Sequence, residues 1–305
     1  MSDRDDSLTS VLAALAANTT IAIAKGIAAG LTGSAALFAE TLHTVADAGN
    51  EVFLYIAIRT SDREADASHP LGYGPERWYW ALLAAIGMFV IGGAVSVWEG
   101  VNALLHPPAL EAFWAGVAVL SIAILLDGIS RAVAVRELRG RAERNGIPLR
   151  QLLSESVDPT VTTVYLEDTV DVLGASLALV ALILHRVTGS AVPDAIATLL
   201  IGALLTYVAI RLSGRNRALL TNQSVPARKL TLLRDRLLAA PEIAEVGRVE
   251  AIHLGPASIM AAAEVALDDG HDCAAALERV RAVIQDEVPA VTRLYLTPVA
   301  RERAF

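Results

Sequence analysis

The chain has 305 residues, 54% of them apolar and 19% charged, and a mean hydropathy of +0.49, which excludes an ordinary soluble enzyme. Lys plus Arg number 25 against 33 for Asp plus Glu, a net charge of −8, so the basic face of a nucleic-acid binder is missing and no nucleic-acid partner is expected. The single cysteine, Cys273, excludes an internal disulfide framework and a cysteine-based zinc cluster, leaving oxygen and imidazole as metal donors.

In chain order, Ser7–Ala24, Trp78–Trp98, Ala112–Leu126, Val172–Leu184 and Ala195–Ile210 contain no Asp, Glu, Lys or Arg. With their flanks most of them reach the roughly 20 residues that cross a bilayer. A further span, Ser34–Ile58, is apolar apart from Glu40, His43, Asp47 and Glu51. Six transmembrane helices are thus predicted, starting near residues 8, 34, 78, 110, 159 and 190. Gly26-Ile-Ala-Ala-Gly30 has the small-residue spacing that suits close helix contact. Arginines crowd the loops after spans two and four (Arg59, Arg63 and Arg77; Arg136, Arg139, Arg141, Arg144 and Arg150), and the loops after spans one and three hold none. The positive-inside rule then puts both termini on the cytoplasmic side.

After about Asn222 the apolar run gives way to a mixed pattern. Pro226–Ala240 reads as an amphipathic helix, Val246–Leu254 and Ile259–Leu267 as strands, Cys273–Glu287 as a helix and Val291–Val299 as a last strand. The expected fold is a polytopic α-helical membrane protein with a small C-terminal α+β cytoplasmic domain of order αββαβ. The division falls at a six-helix membrane domain, residues 1–215, and a soluble domain, residues 221–305.

The chemistry-bearing residues fall on two spans. Glu40, His43, Asp47 and Asn50 lie at i, i+3, i+7 and i+10, one stripe of a helix, and Glu167 with Asp171 is an i, i+4 pair in span five. Carboxylates buried in a bilayer need compensation by positive charge. Asp158-Pro159 has the form of a helix start, Asp158 capping and Pro159 first, and the depths this implies let the two pairs meet near the midplane. One imidazole and three carboxylates, from His43, Asp47, Glu167 and Asp171, then suffice for a four-coordinate site for Zn²⁺ or another first-row divalent ion. A proton relay without metal is the rival reading. Asp168, turned about 100° from Glu167, is assigned to orienting a ligand or holding span five, with Glu40 and Asn50 on the access path or around the ligands. Asp194, after Pro193 at the start of span six, reads most simply as a dipole-favoured N-terminal residue and otherwise as part of the access path. For Lys25 two readings stand, snorkelling or pairing with a carboxylate. His69 in the loop after span two, and His253, Glu264, His271 and Asp272 in the C-terminal domain, are further candidate donors, though scattered donors in a soluble domain are more often simply solvated.

Two segments carry a resemblance. Gly33-Ser-Ala-Ala-Leu-Phe-Ala-Glu-Thr-Leu-His43-Thr-Val-Ala-Asp47-Ala-Gly-Asn50 and His69-Pro-Leu-Gly-Tyr-Gly-Pro-Glu-Arg77 resemble the second helix and the following loop of the cation diffusion facilitator family. Glu167 and Asp171, where members commonly place His or Asp and then Asp, are similar to the branch that includes an organellar zinc-transporter-like protein. The resemblance implies a ferredoxin-like cytoplasmic domain, a homodimer, and His43 with Asp47 as half of a transport site. The expected function is export of a divalent cation, Zn²⁺ or one of Mn²⁺, Co²⁺, Fe²⁺ and Cd²⁺, in exchange for protons. The metal is then substrate rather than bound cofactor. The last strand, Arg293-Leu-Tyr-Leu-Thr-Pro298, lacks the His and Asp that some members use to bind regulatory metal. A membrane-anchored metal sensor and an intramembrane metalloenzyme are the alternatives, the latter without its usual two-His helical pair. The acidic, polar first residues read as no signal peptide, which favours a bacterial inner membrane.

Overall fold

The computed structural model describes residues 2–144, 146–155, 159–268 and 272–300, in two compact units. The first, residues 1–59 with 77–217, is helical. Its elements are α1 (Ser2–Thr32), α2 (Ala35–Ser61), α3 (Glu76–Gly87), a π-helical segment (Met88–Ala94), α4 (Val95–Leu105), α5 (Phe113–Arg144), α6 (Leu149–Glu155), α7 (Pro159–Thr188) and α8 (Val192–Leu220). Asp158, the expected cap of α7, lies outside the described residues, and Pro159 is the first residue of that helix, where its missing N–H costs nothing.

Five helical stretches, Ala14–Thr32, Glu76–Leu105, Phe113–Arg144, Tyr165–Thr188 and Val192–Leu220, are long and apolar enough to cross a membrane. The sixth span, α2, has 27 residues, about 40 Å of helix, and falls short only in composition because of its buried charged residues. The π-helical turn inside the third span was not foreseen, since nothing in its apolar sequence separates an i→i+5 turn from an ordinary one.

Alanine dominates the interior. Ala28, Ala29, Ala36, Ala39, Ala175, Ala178 and Ala181 surround Leu37, Leu120, Leu182, Ile201 and Leu205. In a bilayer, where lipid is as apolar as leucine, small side chains let helices approach and gain packing contact. Between α1 and α2 the chain turns in two residues. Gly33 takes φ +69, its N–H donates to Ala29 O at 2.9 Å, and this left-handed step ends α1.

The second unit joins residues 218–305 to the segment Thr60–Glu76. It contains α9 (Ala227–Leu238), β1 (Ile243–Gly255), β2 (Ser258–Leu267), α10 (Cys273–Glu287) and β3 (Val291–Pro298), the αββαβ order expected. β1 pairs antiparallel with β2, in register Ala251 with Ala261, and β2 pairs parallel with β3, Ala261 with Leu294. Leu233 and Leu237 of α9 and Val280 and Ile284 of α10 pack with Val246, Ala261, Val265 and Leu294 of the sheet.

That Thr60–Glu76 belongs with this unit is a finding the division at residues 215 and 221 did not foresee. Asp66 organises the segment, accepting from Ser68 Oγ (2.6 Å), Tyr73 Oη (2.8 Å) and the backbone N–H groups of Ser68 and His69 (both 2.9 Å). These bonds, the Ser68 hydroxyl first, hold its carboxyl below the usual carboxylate range. Arg293 Nη2 donates to Pro70 O at 2.8 Å, and Gly74 lies so close to Leu254 O and Gly255 that a Cβ there would overlap them.

Candidate metal centre

Across the facing stripes of α2 and α7, pairing runs from high to low number, which makes the two helices antiparallel. Glu40 lies against Gly174, His43 against Asp171, and Asn50 against Glu167. The period of 3.6 puts Glu40, His43, Asp47 and Asn50 on the inward face of α2, and all four are buried.

The centre of the stripe is a three-residue cluster. His43 Nδ1 lies 3.5 Å from Asp47 Oδ2, and His43 Nε2 lies 3.2 Å from Asp171 Oδ1. One donor atom from each of the three side chains fits within 4.8 Å of the others, the one such group of three or more among the described residues. Neither ring nitrogen of His43, nor Oδ1 of Asp47, has a hydrogen-bond partner among them. Unpaired polar atoms buried in apolar surroundings cost free energy unless something binds them, and an imidazole aimed at two carboxylates has the chemistry of a first-row divalent cation site.

The remaining sequence-derived candidates separate around this cluster. Glu167, one turn along α7 from Asp171, accepts a hydrogen bond from Asn50 Nδ2 at 2.5 Å, so it is one layer away from the three-residue group. Asp168 turns to α5 and accepts from Ser130 Oγ at 3.3 Å. Lys25 resolves its two alternatives by pairing. Its Nζ donates to Glu40 Oε2 at 3.0 Å and to Thr44 Oγ1 at 2.9 Å. Gly174 was missed by the sequence analysis, although a glycine inside an apolar helix one turn after Asp171 is a signal of close approach.

Asp194 acts as a helix cap. It stands in the first turn of α8, but its carboxylate crosses to α2, accepting from Ser34 Oγ (2.7 Å), Ala35 N (2.6 Å) and Ala36 N (3.4 Å). The free N–H groups at the start of the helix that carries His43 and Asp47 are thereby satisfied from a neighbouring span, in a favourable position for negative charge.

In the second unit, His69 is exposed, within 2.9 Å of Ser68 Oγ through Nδ1 and stacked on Tyr73 with ring centroids 4.0 Å apart. His253 is buried in β1 and has no hydrogen-bond partner at Nδ1 among the described residues. Glu264 accepts from Arg248 N at 3.4 Å. His271 lies outside the described residues.

A bundle of long apolar helices around a buried imidazole–carboxylate cluster defines an integral membrane protein with a candidate cation site among its helices. Residues 11–221 match the cation efflux transmembrane domain, and the chain belongs to that family, whose members are transporters rather than enzymes. It is 32% identical over 237 residues to the "Proton-coupled zinc antiporter SLC30A9, mitochondrial" of Homo sapiens, covering 78% of this chain and 42% of the relative. It is 34% identical over 192 residues to "Metal tolerance protein C4" of Arabidopsis thaliana, covering 62% of this chain and 41% of the relative. "Magnetosome protein MamB" of Magnetospirillum gryphiswaldense is 24% identical over 290 residues, 93% of this chain and 92% of the relative. The chain thus spans about two fifths of the length of the zinc antiporter and of the plant protein.

Proposed function

We propose that the protein exports a divalent metal cation, with Zn²⁺ as the substrate, in exchange for protons by alternating access. The observation that carries this reading is the His43–Asp47–Asp171 cluster, built from two antiparallel helices inside a bundle of apolar spans. The cation is substrate, bound in transit. His43, Asp47 and Asp171 hold it, and Glu167, kept one layer away by Asn50, supplies the fourth donor when that bond exchanges. The name of the human relative, a proton-coupled zinc antiporter, supports both ion and counter-ion.

Proton coupling follows from the donor set. Carboxylates and imidazole bind metal only when deprotonated, so loading releases protons and acid on the far side favours unloading, with no separate proton path. Residues 1–215 form the transport domain and residues 221–305 a cytoplasmic domain of a homodimer. The arginine bias supports both termini on the cytoplasmic side of the membrane.

The test is Zn²⁺ uptake into sealed proteoliposomes with an imposed pH gradient. Uptake that follows the gradient and vanishes in Asp47→Ala and Asp171→Ala is the expected result. Uptake that ignores the gradient refutes proton exchange, and no Zn²⁺, Mn²⁺, Co²⁺, Fe²⁺ or Cd²⁺ flux in the parent refutes transport.

A further inference from the structure

One turn from the ligand cluster the helical unit buries a complete ion pair that the transport chemistry above does not use. Lys25, one of two lysines in the chain, is 1% exposed in α1, and Glu40 in α2 is 0% exposed. Nζ of Lys25 is fixed by Glu40 Oε2 at 3.0 Å and by Thr44 Oγ1 at 2.9 Å, and the two acceptors flank His43 in sequence. Glu40 precedes His43 by three residues on the same stripe, so the carboxylate sits about one helical turn, roughly 5 Å, from the imidazole. The facing helix makes room for it. At Gly174, three residues after Asp171, a Cβ would overlap Glu40 Oε1, and that oxygen has no hydrogen-bond partner among the described residues.

A buried ion pair is a poor way to gain stability, because desolvation offsets the attraction and apolar side chains of similar volume commonly do as well. In a membrane-spanning segment such charges call for a functional account. The charges at the neighbouring cluster supply one. Asp47, Asp171 and the nearby Glu167 already bring three carboxylates to a divalent cation. A fourth uncompensated carboxylate one turn away would hold the ion too tightly for release, and an unopposed ammonium there would repel it. We propose that Lys25 and Glu40 are positioning residues that act as a charge-balancing pair, setting the affinity of the His43–Asp47–Asp171 cluster for a divalent cation. This inference rests on the reading of that cluster as the cation site.

The experiment is Zn²⁺ titration of the full chain in lipid nanodiscs, for the parent, Asp47→Ala, Glu40→Gln, Lys25→Met and the double variant K25M/E40Q. E40Q leaves the ammonium unopposed and weakens Zn²⁺ binding by at least about tenfold. K25M binds Zn²⁺ at least as tightly as the parent. The double variant, which replaces the pair by neutral side chains of similar length and so keeps the fold, returns affinity to within about threefold of the parent. Were the pair a packing device only, both single variants and the double would weaken binding together. K25M weakening Zn²⁺ binding, or K25M/E40Q remaining as weak as E40Q, overturns the inference while D47A, binding no Zn²⁺, leaves the cluster reading intact. Zn²⁺ binding that survives D47A is a different failure and removes both.

Discussion

His43 and His253 are both buried histidines with a ring nitrogen that has no hydrogen-bond partner among the described residues, one in the helical unit and one in the αββαβ unit, and different side chains face them. His43 faces Asp47 and Asp171. For His253, burial first and then the Lys229 ammonium push the imidazole down to about 4. A neutral imidazole beside a cation is a core residue, whereas the same ring between two carboxylates is a candidate cation site. Burial alone therefore does not single out a candidate metal ligand, and the carboxylates within reach of the ring do.

The comparison breaks most readily at Asp171. Asp171→Ala should reduce Zn²⁺ affinity by about two orders of magnitude or more, since even partners behind the ligands cost about 10–100-fold, and calorimetry on the nanodisc-embedded chain measures it. His253→Gln should leave Zn²⁺ affinity unchanged in the same experiment. Next comes Asn50→Ala, which frees Glu167 Oε1 from the bond that keeps it one layer away, and is expected to tighten Zn²⁺ binding by up to about tenfold while lowering the stability of the metal-free protein by roughly 1–3 kcal/mol in thermal melts. Asp194→Ala sharpens the contrast between holding the helix and holding the ion. It leaves the start of α2 uncapped, lowers stability by roughly 1–3 kcal/mol in thermal melts, and preserves Zn²⁺ affinity per folded molecule.

The smallest effect is the pH dependence at His253. Its folded value lies below the ordinary 6.5, so the unfolded chain takes up the proton first. The stability due to its neutral form is complete above about pH 6.5 and is lost as pH falls toward about 4. Melts of the parent and His253→Gln at pH 7.5 and pH 5 should show a smaller acid-induced drop in the variant, and equal drops would remove His253 as a titrating group.

Periodicity made the polar stripe of α2 legible, because 3.6 residues per turn fixes which side chains share a face. The helical spans and the αββαβ order were equally open to pattern. Depth was not. The i, i+4 spacing of Glu167 and Asp171 places both on one face but does not say which meets His43, and the vertical offset of α7 puts Asp171 there and Glu167 on Asn50. Asp194 was legible as a residue of the first turn of its own helix, yet its carboxylate reaches across to Ser34 and Ala35, a contact 160 and 159 residues away that no local rule encodes. The docking of Thr60–Glu76 onto the αββαβ unit is of the same kind. His69-Pro-Leu-Gly-Tyr reads as a turn, and only the assembled fold brings Pro70 to Arg293 and Gly74 to Leu254.

X-ray absorption at the zinc edge of the Zn²⁺-loaded chain tests the central claim most directly, since it reports the atoms touching the ion. The account predicts nitrogen and oxygen neighbours at about 2.0–2.2 Å, no sulfur, and an imidazole scattering signature that disappears in His43→Ala. A spectrum unchanged by His43→Ala and by Asp171→Ala would contradict it and place the bound zinc elsewhere in the protein.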